Sequence, residues 1–227
     1  MITLARWWAA PLLVASETAW EHLVVARETL ETYGRPLAYY VDQHSIFRFV
    51  EHQGVHISYR LRQDQGRVQF RRALEELGIG IIYAHSPEAQ GKIETRFEYF
   101  QRRLPYLCER YKVTDIQEAN RILREEVIPY YNERHIHAET EEIPQVRWQR
   151  AIRENRAKLR PLPEGVDLEI VFSLQYQRSV GKDGTISFDA KLWKSGAQPE
   201  QKVIACLHPG SKLIIVQDGV KLWEYQL

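Results

Sequence analysis

Residues Pro161-Leu162-Pro163-Glu164-Gly165 divide the chain into two unlike parts. Two prolines and a glycine within five residues stop any helix that reaches them. Before this linker, apolar residues recur at helical spacing and short apolar runs separate the helices. After it, short apolar runs alternate with turn residues. Asp183-Gly184 and Asp218-Gly219 fall between such runs, and Asp-Gly pairs of this kind mark hairpins. The order of elements predicts a mixed α/β part followed by a small all-β part.

In the first part, Ile2 to Ala9 reads as a strand. Thr18 and Glu21 have the spacing of a capping box ahead of Trp20, Leu23, Val24, Leu30 and Tyr33, with Gly34 as terminator. Leu37 to Val41 reads as a strand ending at Asp42. Phe70, Ala73, Leu74 and Leu77 share one helical face, and Ile79 to Tyr83 is short enough for a buried strand. The stretch from Ser86 to Glu94 reads as a loop turning into a helix from about Ala89, which Pro105 is expected to break or kink. Thr114 and Gln117 have the spacing of a second capping box. In the second part, Leu168 to Val180, Thr185 to Trp193, Val203 to Leu207, Leu213 to Val216 and Val220 to Tyr225 read as strands. Five strands in so short a span predict a small barrel.

Composition bounds the partners only weakly. The formal net charge of +1 argues neither for nor against a polyanion, and 44% hydrophobic with 27% charged residues is ordinary for a soluble domain. Two cysteines, Cys108 and Cys206, make no disulfide framework and fit a reducing compartment. The run Leu4 to Ala15 has one early basic residue and is split by Pro11, so it reads as structure rather than a signal peptide. No stretch reaches the length of a membrane span, and the expected location is cytoplasmic. The histidines have no cysteine at zinc-ligand spacing. Neither a nucleophile elbow nor a phosphate-cradling glycine loop is present.

Ser86-Pro87, then Gln90-Gly91, then Glu94, together with Tyr39-Tyr40-Val41-Asp42, resembles the integrase core of DDE transposases and retroviral integrases. Tyr131-Asn132, Arg134, His135 and Pro144 resemble the end of that core in insertion-sequence transposases. Lys182 to Phe188 with Leu192-Trp193 resembles a small C-terminal β-domain of some of them. The resemblance implies an RNase H-like integrase core over 1–144, incomplete because its first strands are missing. It further implies a basic helix and linker over 145–166 and a small β-barrel over 167–227. In the family, three carboxylates hold two Mg²⁺ ions, or Mn²⁺, for DNA strand cleavage and transfer. Asp42 and Glu94 match two of them, with 51 residues between. No Asp precedes Asp42, so the resemblance leaves the first acid unmatched, and the chain is expected to be an N-terminally truncated transposase, inactive alone. The alternative is a non-catalytic DNA-binding or assembly remnant.

The implied partner is DNA, at transposon ends and target, with a homo-oligomer as the working form and no membrane. Lys92, Arg96 and Arg102 lie on the Glu94 helix. Arg147, Arg150, Arg153 and Arg156 follow on the next basic helix against one acid, Glu154. Such clusters neutralise phosphates, and the bland alternative is a solvated charged face.

Overall fold

The computed structural model describes residues 11–41, 69–83 and 87–227, with side chains of the last stretch described from residue 97. The Ile2 to Ala9 strand lies outside the described residues. The fold is mixed α/β. Helix α1 (Ala19–Tyr33) starts as the sequence predicts: the Trp20 amide donates to Thr18 Oγ1, and the Thr18 amide donates to Glu21. Gly34 ends it at φ 87°, a conformation that favours glycine. Strand β1 (Ala38–Val41) follows, then a helix over 69–76, here α2, and strand β2 (Gly80–Tyr83). β1 and β2 pair in parallel, with Ala38 opposite Gly80 and Val41 opposite Tyr83. Leu23, Ala26 and Leu30 of α1 pack with Phe70, Ala73 and Leu74 of α2 and with Tyr39 and Val41 of β1 into one core.

Helix α3 (Pro87–Tyr111) begins before the expected Ala89, and Gln90-Gly91 is helical rather than loop. Proline suits a first helical position, because that residue needs no amide donor. The helix also continues through Pro105, contrary to the sequence reading. Pro105 and Gln101 are both exposed, so water can serve the carbonyl of Gln101 that loses its donor. Helix α4 (Ile116–Ile122) is capped by Asp115 rather than by the expected Thr114 box. The Asp115 carboxylate accepts from the amides of Gln117 and Glu118. A π-helical turn (Leu123–Val127) joins α4 to α5 (Ile128–Glu133). Phe100, Leu104 and Leu107 of α3 pack against Ile122, Leu123, Val127, Ile128 and Tyr131 as a second core. Helix α6 (Pro144–Arg153) docks Trp148 edge-on against Tyr33 of α1, at 6.2 Å between centroids.

Beyond the linker, Leu168–Val171 is a short helix, α7, capped by Asp167, where the sequence pattern predicts a strand. Six strands follow: β3 (Leu174–Ser179), β4 (Thr185–Phe188), β5 (Lys191–Lys194), β6 (Lys202–His208), β7 (Lys212–Gln217) and β8 (Val220–Gln226). The antiparallel sheet runs β3-β6-β7-β8, and β4-β5 is a separate hairpin. Ile186 and Phe188 of the hairpin cover one face of the sheet with Val203, Ala205, Leu213 and Ile215. Ile170 of α7 meets Cys206, Ile214 and Val216 on the other face. Burial on both faces explains why Leu213 to Val216 is a continuous apolar run instead of an alternating one. Side-chain bonds from Arg178 to the Ser187 carbonyl and from Tyr225 to the Lys194 carbonyl join hairpin to sheet. Among the described residues, no helix is long and apolar enough to cross a membrane.

Candidate nucleic-acid interface

The parallel pairing of β1 and β2 ends both strands at one edge. Val41 opposes Tyr83 there, Asp42 is the next residue after Val41, and three residues after Tyr83 the chain enters α3. Ligands in open α/β sheets bind beyond the carboxyl ends of strands, which is where this edge lies. Asp42 itself lies outside the described residues. Glu94, Lys92 and Arg96 belong to α3, and their side chains also lie outside the described residues. Glu94 falls about two turns into α3, because the helix starts at Pro87. Among the described residues, no group of three His, Cys, Asp or Glu side chains is placed to hold a metal ion.

Further along α3 the side chains are described. Arg102 is exposed and pairs with Glu98 one turn earlier. Arg103 lies over two tyrosine rings, with its Cζ 5.6 Å from the Tyr106 centroid and 5.8 Å from that of Tyr130 on α5. Tyr99 stands beside them, 4.9 Å from both Tyr131 and His135, and burial pushes its hydroxyl pKa up. His135 stacks on Tyr131 at 5.2 Å. The Tyr131 to His137 motif is therefore in part a packing device, since Tyr131 is buried in the second core. Sequence reading passed over Tyr106 and Tyr130. The signal available was a repeated Pro-Tyr pair, Pro105-Tyr106 and Pro129-Tyr130.

The second basic cluster is divided by the fold. Arg150 makes two 2.7 Å bonds to Glu142, and Arg147 lies 3.8 Å from the same carboxylate. The bond from Arg150 holds the Glu142 carboxyl below its ordinary range. Arg156 follows the end of α6 rather than lying on it, and pairs with Glu154. Arg153 is exposed and pairs with no carboxylate among the described residues. Glu142, eight residues before Arg150, offsets two of the four arginines, so Glu154 is not the sole acid beside this cluster. Arg160 serves structure: it bridges the backbone of Arg35 and donates to the carbonyls of Pro36 and Gly78.

No protein-family model matches the chain. It is 36% identical over 91 residues to y4bF of Sinorhizobium fredii (strain NBRC 101917 / NGR234), a protein named as an inferred transposase; the match covers 40% of this chain and 18% of the relative. It is 29% identical over 107 residues to the transposase for insertion sequence IS1202 of Streptococcus pneumoniae, covering 47% of this chain and 22% of the relative. The chain thus matches about a fifth of the length of these curated relatives. Among solved structures, a chain of the simian T-cell lymphotropic virus intasome in complex with the PP2A regulatory subunit B56 gamma aligns over 92% of this chain and 63% of that one. Its identity of 15% and TM-score of 0.42 fix no topology. By sequence, this chain is similar to two transposases, over 40% and 47% of its own length.

Proposed function

We propose that this chain is a DNA-handling part of a transposase, with an RNase H-like core over 1–144, a basic segment over 145–166 and a small β-domain over 167–227. The observation that carries the reading is the parallel β1–β2 pair, whose shared edge leads into Asp42 on one strand and toward the Glu94 helix on the other. The sequence relationship to two transposases supports it independently. Asp42 and Glu94 offer oxygen ligands, the donor type that Mg²⁺ or Mn²⁺ takes, and they would be its holders. When bound, such an ion supplies Lewis-acid activation at a phosphodiester. Arg102 and Arg153, exposed on α3 and α6, would take DNA phosphates, with Lys92, Arg96, Arg147, Arg150 and Arg156 around them.

A second reading is a DNA-binding or assembly protein without strand cleavage. It needs only exposed cations such as Arg102 and Arg153 and no complete metal site. One experiment covers both. The full 227-residue chain is titrated onto linear duplex DNA at ~50 mM and ~200 mM salt, where counterion release makes phosphate binding fall steeply. A parallel arm with Mg²⁺ scores strand cleavage. Salt-sensitive binding is expected, weakened in Arg153→Ala. Absence of binding at low salt would overturn the proposal. Mg²⁺-dependent cleavage abolished by Asp42→Asn or Glu94→Gln would establish the catalytic reading over the second one.

A further inference from the structure

We propose that Arg103, Tyr106 and Tyr130 form a stacking platform for an unpaired nucleobase, a site separate from the one Glu94 serves. The proposal rests on the reading that the chain binds DNA and goes beyond phosphate contact. Its first support is geometric. The Arg103 guanidinium lies within 6 Å of two tyrosine rings donated by different helices. Tyr106 and Tyr130 are 52% and 46% exposed, unusually open for large aromatic side chains on packed helices. Tyr131 is buried in the second core, while its neighbour Tyr130 on α5 stays outside it, beside Arg103 of α3.

The second support is charge. Glu98, Tyr99, Arg102, Arg103 and Tyr106 line a shallow, open groove of about 530 Å³ at the platform. Glu98 is taken up by Arg102, whereas Arg103 pairs with no carboxylate among the described residues. The site therefore has a net positive charge and several π surfaces. Bases stack on aromatic rings and on guanidinium planes, and a neighbouring phosphate takes the positive charge. A carboxylate-rich peptide meets the positive charge without filling the ring surfaces, whereas a nucleotide brings a flat base and a phosphate together.

The third support is position. Arg103 lies nine residues beyond Glu94 in α3, about 13 Å further along the helix axis.

The test compares a blunt duplex with a duplex carrying a short single-stranded overhang that contains 2-aminopurine, using the full chain. The expected result is about tenfold tighter binding of the overhang DNA, with quenched probe fluorescence, in line with one stacked base. The Tyr106→Ala/Tyr130→Ala double variant is expected to lose the preference and the quenching while keeping its affinity for blunt duplex. The Tyr106→Phe/Tyr130→Phe variant retains the rings and is expected to retain both. Equal binding of the two DNAs by the unaltered chain overturns the platform and leaves the DNA-binding reading standing. A preference that survives in the double alanine variant also overturns it. Tyrosine-dependent binding of a poly-glutamate peptide without an overhang preference assigns the surface to a protein partner instead. Failure to bind either DNA defeats the DNA-binding reading, and this proposal with it.

Discussion

Asp189 and Ala190 close the β4–β5 hairpin with φ values of 50° and 56°. Two successive left-handed residues define the tight turn that suits the twist of paired strands, and glycine is usual at the second of them. Ala190 pays the steric cost of that conformation, and the hairpin is held closed by packing: Ile186 and Phe188 are buried, and the Trp193 indole donates to the Phe188 carbonyl at 3.0 Å. Ala190→Gly is therefore expected to stabilise the chain by about 0.5–1 kcal/mol, the left-handed strain relieved less the added chain entropy of glycine. Urea denaturation of the two proteins checks this, and an unchanged or lower midpoint would contradict it. The same position explains a misreading. Asp218-Gly219 has the same turn conformation, with φ of 50° and 80°, and was legible because glycine announces it. Ala190 carries no such signal, so Thr185 to Trp193 reads as one strand. Glu142 was illegible for a different reason, since its pairing with Arg150 depends on how the His137–Glu142 turn folds back onto α6.

At the scale of elements, α7 is held to the sheet by charge as well as by Ile170. Lys221 on β8 pairs with Asp167 at 3.0 Å and with Glu169 at 2.5 Å, and Lys212 on β7 also reaches Glu169. The hydrogen bond from Lys212, then that from Lys221, lowers the Glu169 carboxyl from 4.5 to about 2. A pKa lowered by folding contributes stability in full above the unfolded value, and that contribution is lost as pH falls from about 4.5 toward about 2. Glu169→Gln keeps the acceptor and removes the charge. It is expected to destabilise the chain by about 1 kcal/mol at neutral pH. The gap to the unaltered protein should close as pH falls below 4.5. Denaturation midpoints across that range decide it, because a gap that is constant with pH would assign the loss to packing. The element itself was hidden in Leu168 to Phe172, a run apolar except for Glu169, whose length does not separate strand from helix. Asp167 ahead of Glu169 was the available cue, and it became decisive only with the capping bonds to the Glu169 and Ile170 amides. Helix α1 was readable in existence and in its inward Leu23 and Leu30, and α3 in existence, although Phe97 on α3 is 46% exposed where an inward face was expected. The extent of α3 depended on Pro87, tolerated as a first helical residue, and on Pro105, tolerated where Gln101 meets water.

For the whole molecule, the linker that divides the sequence does not leave its two sides unconnected in space. Val171 of α7 and Phe172, the residue that ends it, are buried in the core built by α1, α2 and β1. Arg72 of α2 donates to the carbonyls of Val171 and Ser173 at 2.9 Å, and Gln69 exchanges bonds with the backbone of Gln175 on β3. Leu162 and Val166, within the linker region, pack against the same core. α7 thus joins two cores, with Phe172 in the first and Ile170 against the sheet. This arrangement predicts coupled unfolding. Phe172→Ala removes a side chain that is 1% exposed and leaves a cavity, at an expected cost of about 3–5 kcal/mol. If the helical part and the β-domain stabilise each other through α7, calorimetry of the variant shows one transition, shifted as a whole. If the two parts stand alone, two transitions appear and only the one containing α1 and α2 moves. The outcome bears on function as well as stability. A coupled molecule carries α6, docked on α1 through Trp148 and Tyr33, and the C-terminal sheet on one body, whereas uncoupled parts orient independently.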